Sequence, residues 1–385
     1  MPVLVAVVLA RWGIGSCHAG AAPTPLDRPA VLGSIAVPDQ PDSLAWSADG
    51  AYLAAGNIDS GNVFVVNVAK ASVTATFKAA GRVQGLAFSP DGKWLAVITT
   101  PSAPAGATPG ELVVLAVPAF TASFTAKAGG PRFGFFDLAW AADSTALYAI
   151  DCRDVLWDQT TAERTAIRRW AVPAFAERSA IRALKTGRYA ALAVTPDGRT
   201  LAVAEDTGLK IGPQVVRLFD LDRGVERSSF EVGATQPFTR RLGFTPNGKA
   251  VGVFEPSKLS WWDVATGRPT EPDSARVAIP PAGLSPAPHA LALSPDGKRR
   301  AHGYEQHPIT GMGLNDILFA PKDRFGTFVR MIDSTTSKTW TWRVGELSQG
   351  YADAPAVAFS PDETRLAATV KQQIGGSILI WAVPK

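Results

Sequence analysis

The chain has 385 residues, 46% of them apolar and 19% charged, with a formal net charge of +4. Its Lys and Arg residues are scattered without a basic run, which argues against nucleic-acid binding. Gly, Pro, Thr and Val in place of helix formers predict many strands and tight turns. The chain begins MPVLVAVVLARWGIGSCHAGAAPTP. Its apolar run over 2–10 is too short for a stable membrane span. Ala19-Gly20-Ala21 ahead of Ala22-Pro23 fits the small-x-small cleavage pattern of an export signal. No Lys or Arg precedes the apolar run, and Arg11 follows it, which weighs the other way. The expectation is a signal peptide over 1–21 and a single periplasmic or secreted domain over 22–385. Ile14-Gly15-Ser16-Cys17 offers a second route, a lipid anchor at Cys17, and an uncleaved leader would leave the chain cytoplasmic. With the leader removed, Cys152 has no intramolecular partner and reads as a small packing residue.

Seven related strings follow: LAWSADGAYLAA from Leu44, LAFSPDGKWLAV from Leu86, LAWAADSTALYA from Leu138, LAVTPDGRTLAV from Leu192, LGFTPNGKAVGV from Leu242, LALSPDGKRRAH from Leu291 and VAFSPDETRLAA from Val357. A period of about fifty residues marks a repeat architecture. Each unit predicts four strands, and the second is the template. An inner strand over 84–89 turns at Pro90-Asp91-Gly92 into a second strand over 94–98. A third follows over 111–117 and a fourth over 122–126. Pro presets φ, Asp bonds its own backbone, and Gly accepts positive φ. A four-stranded sheet with two apolar faces cannot stand alone, and radial stacking buries both. The prediction is an all-β, seven-bladed β-propeller. Its last unit stops after a third strand over 377–383, and the orphan strand over 30–37 completes that blade and closes the ring.

Trp262-Asp263, Phe219-Asp220 and Ile332-Asp333, with Ala265-Thr266-Gly267 after the first of them, carry a family resemblance. The chain resembles a WD-repeat propeller and, through its Pro-Asp turns, the PD-type propellers of the Tol system. The resemblance covers about residues 30–384. It departs from the WD pattern in lacking the upstream Gly-His pair, and in the blade endings Leu115-Ala116, Trp170-Ala171 and Trp381-Ala382. It implies a binding or scaffolding role and carries over no catalytic residues.

The Pro-Asp-Gly turns are uniform, whereas the loops between second and third strands vary. They are short over 56–61 and 255–258, longer over 99–110, 151–165 and 205–213, and longest over 303–327. Strand alternation puts these loops and the blade-to-blade links on one face, and insertions confined to one face mark the binding side of a repeat protein. Arg82, Arg132, Arg188, Arg240 and Arg241 enter that face through the links. They read either as an anion-binding ring or as ion-pair partners of Asp59, Asp151, Glu205, Asp206, Glu255 and Glu305. His302, Glu305 and His307 have a spacing compatible with three ligands around one metal, although a solvated loop tip explains them equally simply. Phe319 belongs to an apolar stretch that reads as a lid or partner patch. Trp157 is a contact anchor or inter-blade packing. No nucleophile–His–acid order, phosphate loop or Cys–His metal spacing is present, so no cofactor and no metal are assigned. The sequence reading is a monomeric, non-catalytic propeller binding a protein or peptide through its insertion-bearing face. The alternative is a lactonase- or hydrolase-type propeller enzyme with a cation in its channel.

Overall fold

A computed structural model describes residues 29–101, 108–130, 133–153, 165–178, 181, 183–184, 188–206, 215–232, 241–245, 247–254, 259–270, 291–295, 298–306, 326–333, 335–336, 338–345, 356–372 and 375–384. Seven antiparallel sheets follow one another along the chain, six of them with their strands in sequence order. Blade 1 comprises Ser43–Trp46, Tyr52–Gly56, Asn62–Asn67 and Ser72–Lys78. Blade 2 comprises Arg82–Phe88, Trp94–Thr100, Glu111–Ala116 and Thr121–Lys127. Blade 3 runs Phe133–Trp140, Ala146–Arg153, Thr165–Ala171 and Ala176–Arg178, and Ala183–Leu184 pairs with its third strand. Blade 4 runs Arg188–Val194, Thr200–Asp206, Val215–Asp220 and Val225–Glu231. In blade 5 the strands Arg241–Phe244, Ala250–Phe254 and Leu259–Asp263 are followed by an isolated bridge from Trp262 to Pro269, where a fourth strand would start. Blade 6 comprises Leu291–Leu293, Arg299–Gln306, Gly326–Asp333 and Thr339–Gly345.

Blade 7 takes three strands from the end of the chain, Val357–Phe359, Arg365–Lys371 and Gly376–Ala382, and its fourth from the beginning. Val31–Val37 lies antiparallel to Gly376–Ala382, with Ile35 opposite Ile378 and Val37 opposite Gly376. The predicted closure of the ring by the orphan strand is therefore what the structure shows.

The hinge at the bottom of each blade is set by a serine or threonine as well as by Pro-Asp-Gly. Ser89 is buried, its Oγ donates to Asp91 Oδ1 at 2.6 Å, and the Trp94 amide donates back to that Oγ at 3.0 Å. Asp91 Oδ1 also accepts from the Lys93 amide at 3.1 Å. Ser47, Thr195 and Thr245 repeat the arrangement with Asp49, Asp197 and Asn247 at 2.6, 2.6 and 2.7 Å, and Ser360 does so with Asp362. One buried hydroxyl thus satisfies an amide and a carboxylate that the turn would otherwise orphan. Blade 3 has Ala141 at that position, and Thr145 Oγ1 donates to Asp143 instead, at 2.7 Å.

Pleating sends alternate residues to the preceding and the following blade. In blade 1, Leu44, Trp46, Leu53 and Phe64 join the core shared with blades 6 and 7. Ala45, Ala54, Val63 and Val65 join the core shared with blade 2. Further clusters fill the seams between blades 2 and 3, 3 and 4, and 4 and 5. Two tryptophans add a directional bond: Trp46 Nε1 donates to Ala358 O in blade 7, and Trp140 Nε1 to Ala87 O in blade 2, each at 3.1 Å. Among the described residues no buried apolar cluster joins blade 5 to blade 6. Cys152 is buried in the core between blades 3 and 4, in keeping with a packing role.

Candidate functional site

Antiparallel alternation places the hinges on one face of the disc and the second-to-third-strand loops, with the blade links, on the other. The links are tight where they are described. A Cβ at Gly81 would collide with the carbonyl oxygen of Thr100, so only glycine lets the link press against the second strand of blade 2. The next residue, Arg82, opens the inner strand opposite Thr100. Its guanidinium meets Asp59 of blade 1 at 3.3 Å, with the two side chains 40% and 79% exposed. An exposed pair of this kind orients more than it stabilises.

Arg188 takes the equivalent backbone position, first in its inner strand and opposite Asp206, whereas Arg241 lies three places nearer its hinge, opposite Phe254. The structure therefore aligns two of the five link arginines, Arg82 and Arg188, at the entrances to blades 2 and 4. Arg132, Arg240, Trp157, His307 and Phe319 lie outside the described residues.

The acids at the ends of the second strands find other partners. Arg168 of blade 3 meets Asp151 at 3.0 Å and grips Glu177 with two bonds of 2.7 Å. It also donates to Lys127 O of blade 2 at 2.6 Å. Its guanidinium carbon lies 5.0 Å from the ring centre of Trp170 and 5.5 Å from that of Phe135. Burial pushes the Asp151 carboxyl above its ordinary range, outweighing its bonds from the Gly129 amide and Arg168. For Arg168 the order is reversed: burial disfavours its charge, yet Glu177 and Asp151 together hold its pKa above the usual arginine value.

Blade 4 repeats the device one blade on. Arg217 sits between Glu205 and Glu226, the latter at 2.8 Å. In both blades the arginine precedes a large aromatic by two residues, Trp170 or Phe219, and the outer acid follows nine residues after the arginine. That repeat is visible in the sequence once the third strands are aligned, although arginine links suggested different partners. Each trio ties together the second, third and fourth strands of its blade near their insertion-face ends.

A second polar cluster, without a sequence expectation, lies where blade 7 meets blade 1. Asp39 accepts from Asn62 Nδ2 at 2.9 Å, from Asn57 Nδ2 at 3.2 Å, from the Gln40 amide at 2.8 Å and from Ser60 Oγ. Burial opposes the Asp39 charge, but these bonds and nearby Lys78 hold its carboxyl below the ordinary range. Asp42 accepts from the Ile58 amide at 2.8 Å and pairs with Lys371 of blade 7 at 2.6 Å. The link Pro38-Asp39-Gln40-Pro41-Asp42 is thus a clasp across the closing seam, and its two acids in five residues are its only mark in the sequence.

Blade 6 differs from the expected loop boundaries. The loop expected over 303–327 begins later, because the second strand continues to Gln306. His302 and Glu305 therefore stand three apart in one strand, on positions that belong to opposite faces. Among the described residues no group of three His, Cys, Asp or Glu could hold a metal ion. No helix among them is long and apolar enough to cross a membrane.

Residues 71–100 match the family profile of the WD domain, G-beta repeat. The resemblance is to a WD repeat. The matched segment covers the outer strand of blade 1 and the first two strands of blade 2, so the WD-like sequence unit is offset from the structural blade. The same offset leaves a strand for the closing blade at the start of the ring. No curated protein matches the chain. Among solved structures, the β-propeller domain of Cps50 (Swd1) from Myceliophteria thermophila superimposes with a TM-score of 0.60 at 13% identity. The match covers 91% of this chain and all of that one. At that identity the likeness is one of fold.

Proposed function

We propose that this WD-like propeller is a non-catalytic scaffold that binds a protein or peptide through its insertion-bearing face. One observation carries the reading: five blades build the hinge face from the same turn around a buried Ser or Thr hydroxyl, whereas the opposite face varies. The connection there is short at 57–61 and long at 307–325. Variable loops on a rigid, repeated frame are how repeat proteins acquire a specific partner. The Arg168 and Arg217 trios support the reading because they stiffen the two hairpins next to the expected contact residue Trp157. The link arginines, with Trp157, His302, Glu305, His307 and Phe319, are the residues assigned to contact.

The chain is further proposed to be an exported monomer, on the strength of the leader over 1–21, with Cys17 as the alternative anchor point. Its Pro-Asp-Gly hinges support kinship with the PD-type propellers. The test is replacement of 307–325 by a short Gly-Ser turn, checked for unchanged melting and then compared with the intact chain in partner capture. Loss of a partner that the intact chain retains is the expected result. Unchanged recovery assigns binding elsewhere.

A further inference from the structure

In six blades the second strand carries a buried aliphatic residue one place after its start: Leu53, Leu95, Leu147, Leu201, Val251 and Leu366, none more than 1% exposed. Each lies between the end of the inner strand and an apolar residue of the third strand, as Leu366 lies between Phe359 and Trp381. Blade 6 has Arg300 there, between Leu293 and Ile332 in the same register. Ala301, Val329 and Met331 of blade 6 belong to the core shared with blade 7. By alternation Arg300, His302, Arg330 and Ile332 face blade 5. His302 pairs in register with Arg330, so the two lie side by side.

Blade 5 meets this basic face with unusual openness. Val251, Val253 and Trp262 belong to the core shared with blade 4. Gly243, Gly252 and Trp261, which lie side by side across its three strands, therefore face blade 6. The corresponding pair is Ala–Ala in blades 1, 2, 4, 6 and 7, for example Ala45 with Ala54 and Ala193 with Ala202. The seam thus loses two methyl groups on one side and gains two guanidinium groups and an imidazole on the other.

Arg300, His302 and Arg330 are each half-buried; the counterparts of Arg300 and His302 in the other blades are sealed, whereas Arg330 stands where blades 3 and 4 carry Arg168 and Arg217. Arg300 Nε is buried and has no hydrogen-bond acceptor among the described residues, whereas Arg330 Nε donates to Thr341 Oγ1 at 3.3 Å. Asp263, the carboxylate at the foot of blade 5 on this side, turns Oδ1 to the amides of Ala265 and Thr266. Asp333 of blade 6 lies on the blade 7 side, paired with Arg299 at 3.6 Å. A guanidinium such as that of Arg300, held in a low-dielectric seam, is stable only with a matching anionic acceptor, and its fork suits the oxygens of a tetrahedral oxyanion.

We propose that the seam between blades 5 and 6 is a binding site for a phosphate dianion, held by Arg300 with His302 and Arg330 beside it. The phosphate is either a free ion or one borne by a partner peptide. The test titrates inorganic phosphate and a short phosphoserine peptide separately into the intact chain and into R300L, against sodium chloride at equal ionic strength. Binding is read by calorimetry and by melting. R300L installs the residue of the other blades, so it is expected to melt in chloride at or above the temperature of the intact chain. The apparent Kd for at least one of the two ligands is expected to rise about tenfold or more, equivalent to one lost charge-assisted bond. Whichever ligand depends on Arg300 identifies the source of the phosphate. R300Q, which keeps a polar side chain but removes the charge, is expected to weaken binding likewise. Three outcomes overturn the proposal: no binding of either ligand to the intact chain, binding that R300L and R300Q leave unchanged, or a fall in melting temperature of both variants in chloride. The last would mean that Arg300 is already answered by a carboxylate of the chain itself.

Discussion

Between blades 7 and 1 the ring is held by a continuous apolar core, by the Trp46 indole bonded to Ala358 O, and by the Asp39–Asp42 clasp with Lys371. Between blades 5 and 6 the described residues offer glycines and an indole against two arginines and a histidine. Yet the hinge serine of blade 6 is the same as elsewhere: Ser294 is buried, and its Oγ accepts the Arg299 amide at 2.9 Å. The two regions teach that blade and seam are specified independently. The hinge makes a blade by local hydrogen bonding, whereas the seam is written in the alternation of residues beside it. A repeat can therefore keep its fold while one of its interfaces is given over to different chemistry.

The comparison is broken most severely by removing the closing strand. Deleting 31–37 is expected to abolish the cooperative calorimetric transition, since blade 7 loses its outer strand and the clasp over 38–42 loses the strand that ties it to blade 7. Unchanged melting would show that the seam holds without it. Next, Trp46→Ala is expected to cost about 3 to 5 kcal/mol in urea unfolding through the cavity it leaves. Trp46→Phe should cost about 1 to 3 kcal/mol, chiefly from leaving Ala358 O without its donor. If Trp46→Phe were silent, the indole bond would be ornamental to closure.

A smaller effect is expected from Ser89→Ala, about 1 to 3 kcal/mol, because the Trp94 amide and Asp91 lose their shared hydroxyl. It sharpens the distinction between hinge and seam if the loss is similar for Ser294→Ala, whose blade has the polar seam. The smallest effect concerns acid. Asp333 is held at about 2: burial opposes its charge, but Thr335 Oγ1 and the Thr335 and Thr336 amides outweigh burial. A folded pKa below the unfolded value of about 3.9 gives stability that is complete above that value and lost as pH falls towards 2. Asp39 acts with the same sign. Asp39→Asn should therefore flatten the fall in melting temperature below about pH 4 and change little at pH 7 beyond the weaker clasp. A wild-type slope in the variant would remove Asp39 from closure.

The propeller was legible because its information is local and repeated: Ser-Pro-Asp-Gly and its relatives mark the hinges, and a missing last strand with an orphan first one announces closure. Even the hinge was only half read, since Pro-Asp-Gly drew attention from the serine or threonine before it. The ion pairs were less legible because they join positions on three strands. Arg168 and Arg217 lie near in sequence to Glu177 and Glu226, but pairing them requires the register of the third hairpin. Asp59 with Arg82 did follow the expected pattern of acid and link arginine. His302 was read as loop because HGYEQH carries no hydrophobic alternation, while its backbone continues the strand. Arg300 stood in plain view in LALSPDGKRRAH, and only alignment on the pleat shows that it replaces a core leucine. Trp157, Arg132, Arg240, His307 and Phe319 lie outside the described residues and remain part of the proposal.

Closure by the first strand also sets a timetable. Trp46 and its acceptor at Ala358 are 312 residues apart. The entropy of spanning that distance grows only logarithmically with length. At about 5 to 20 residues per second, the ribosome delivers the acceptor about 15 to 60 s after the donor. Throughout that interval the face of blade 1 carrying Leu44, Trp46, Leu53 and Phe64 has been made before the blade that buries it. The strand that gives the finished ring its lock is thus the part of the nascent chain longest in need of shelter.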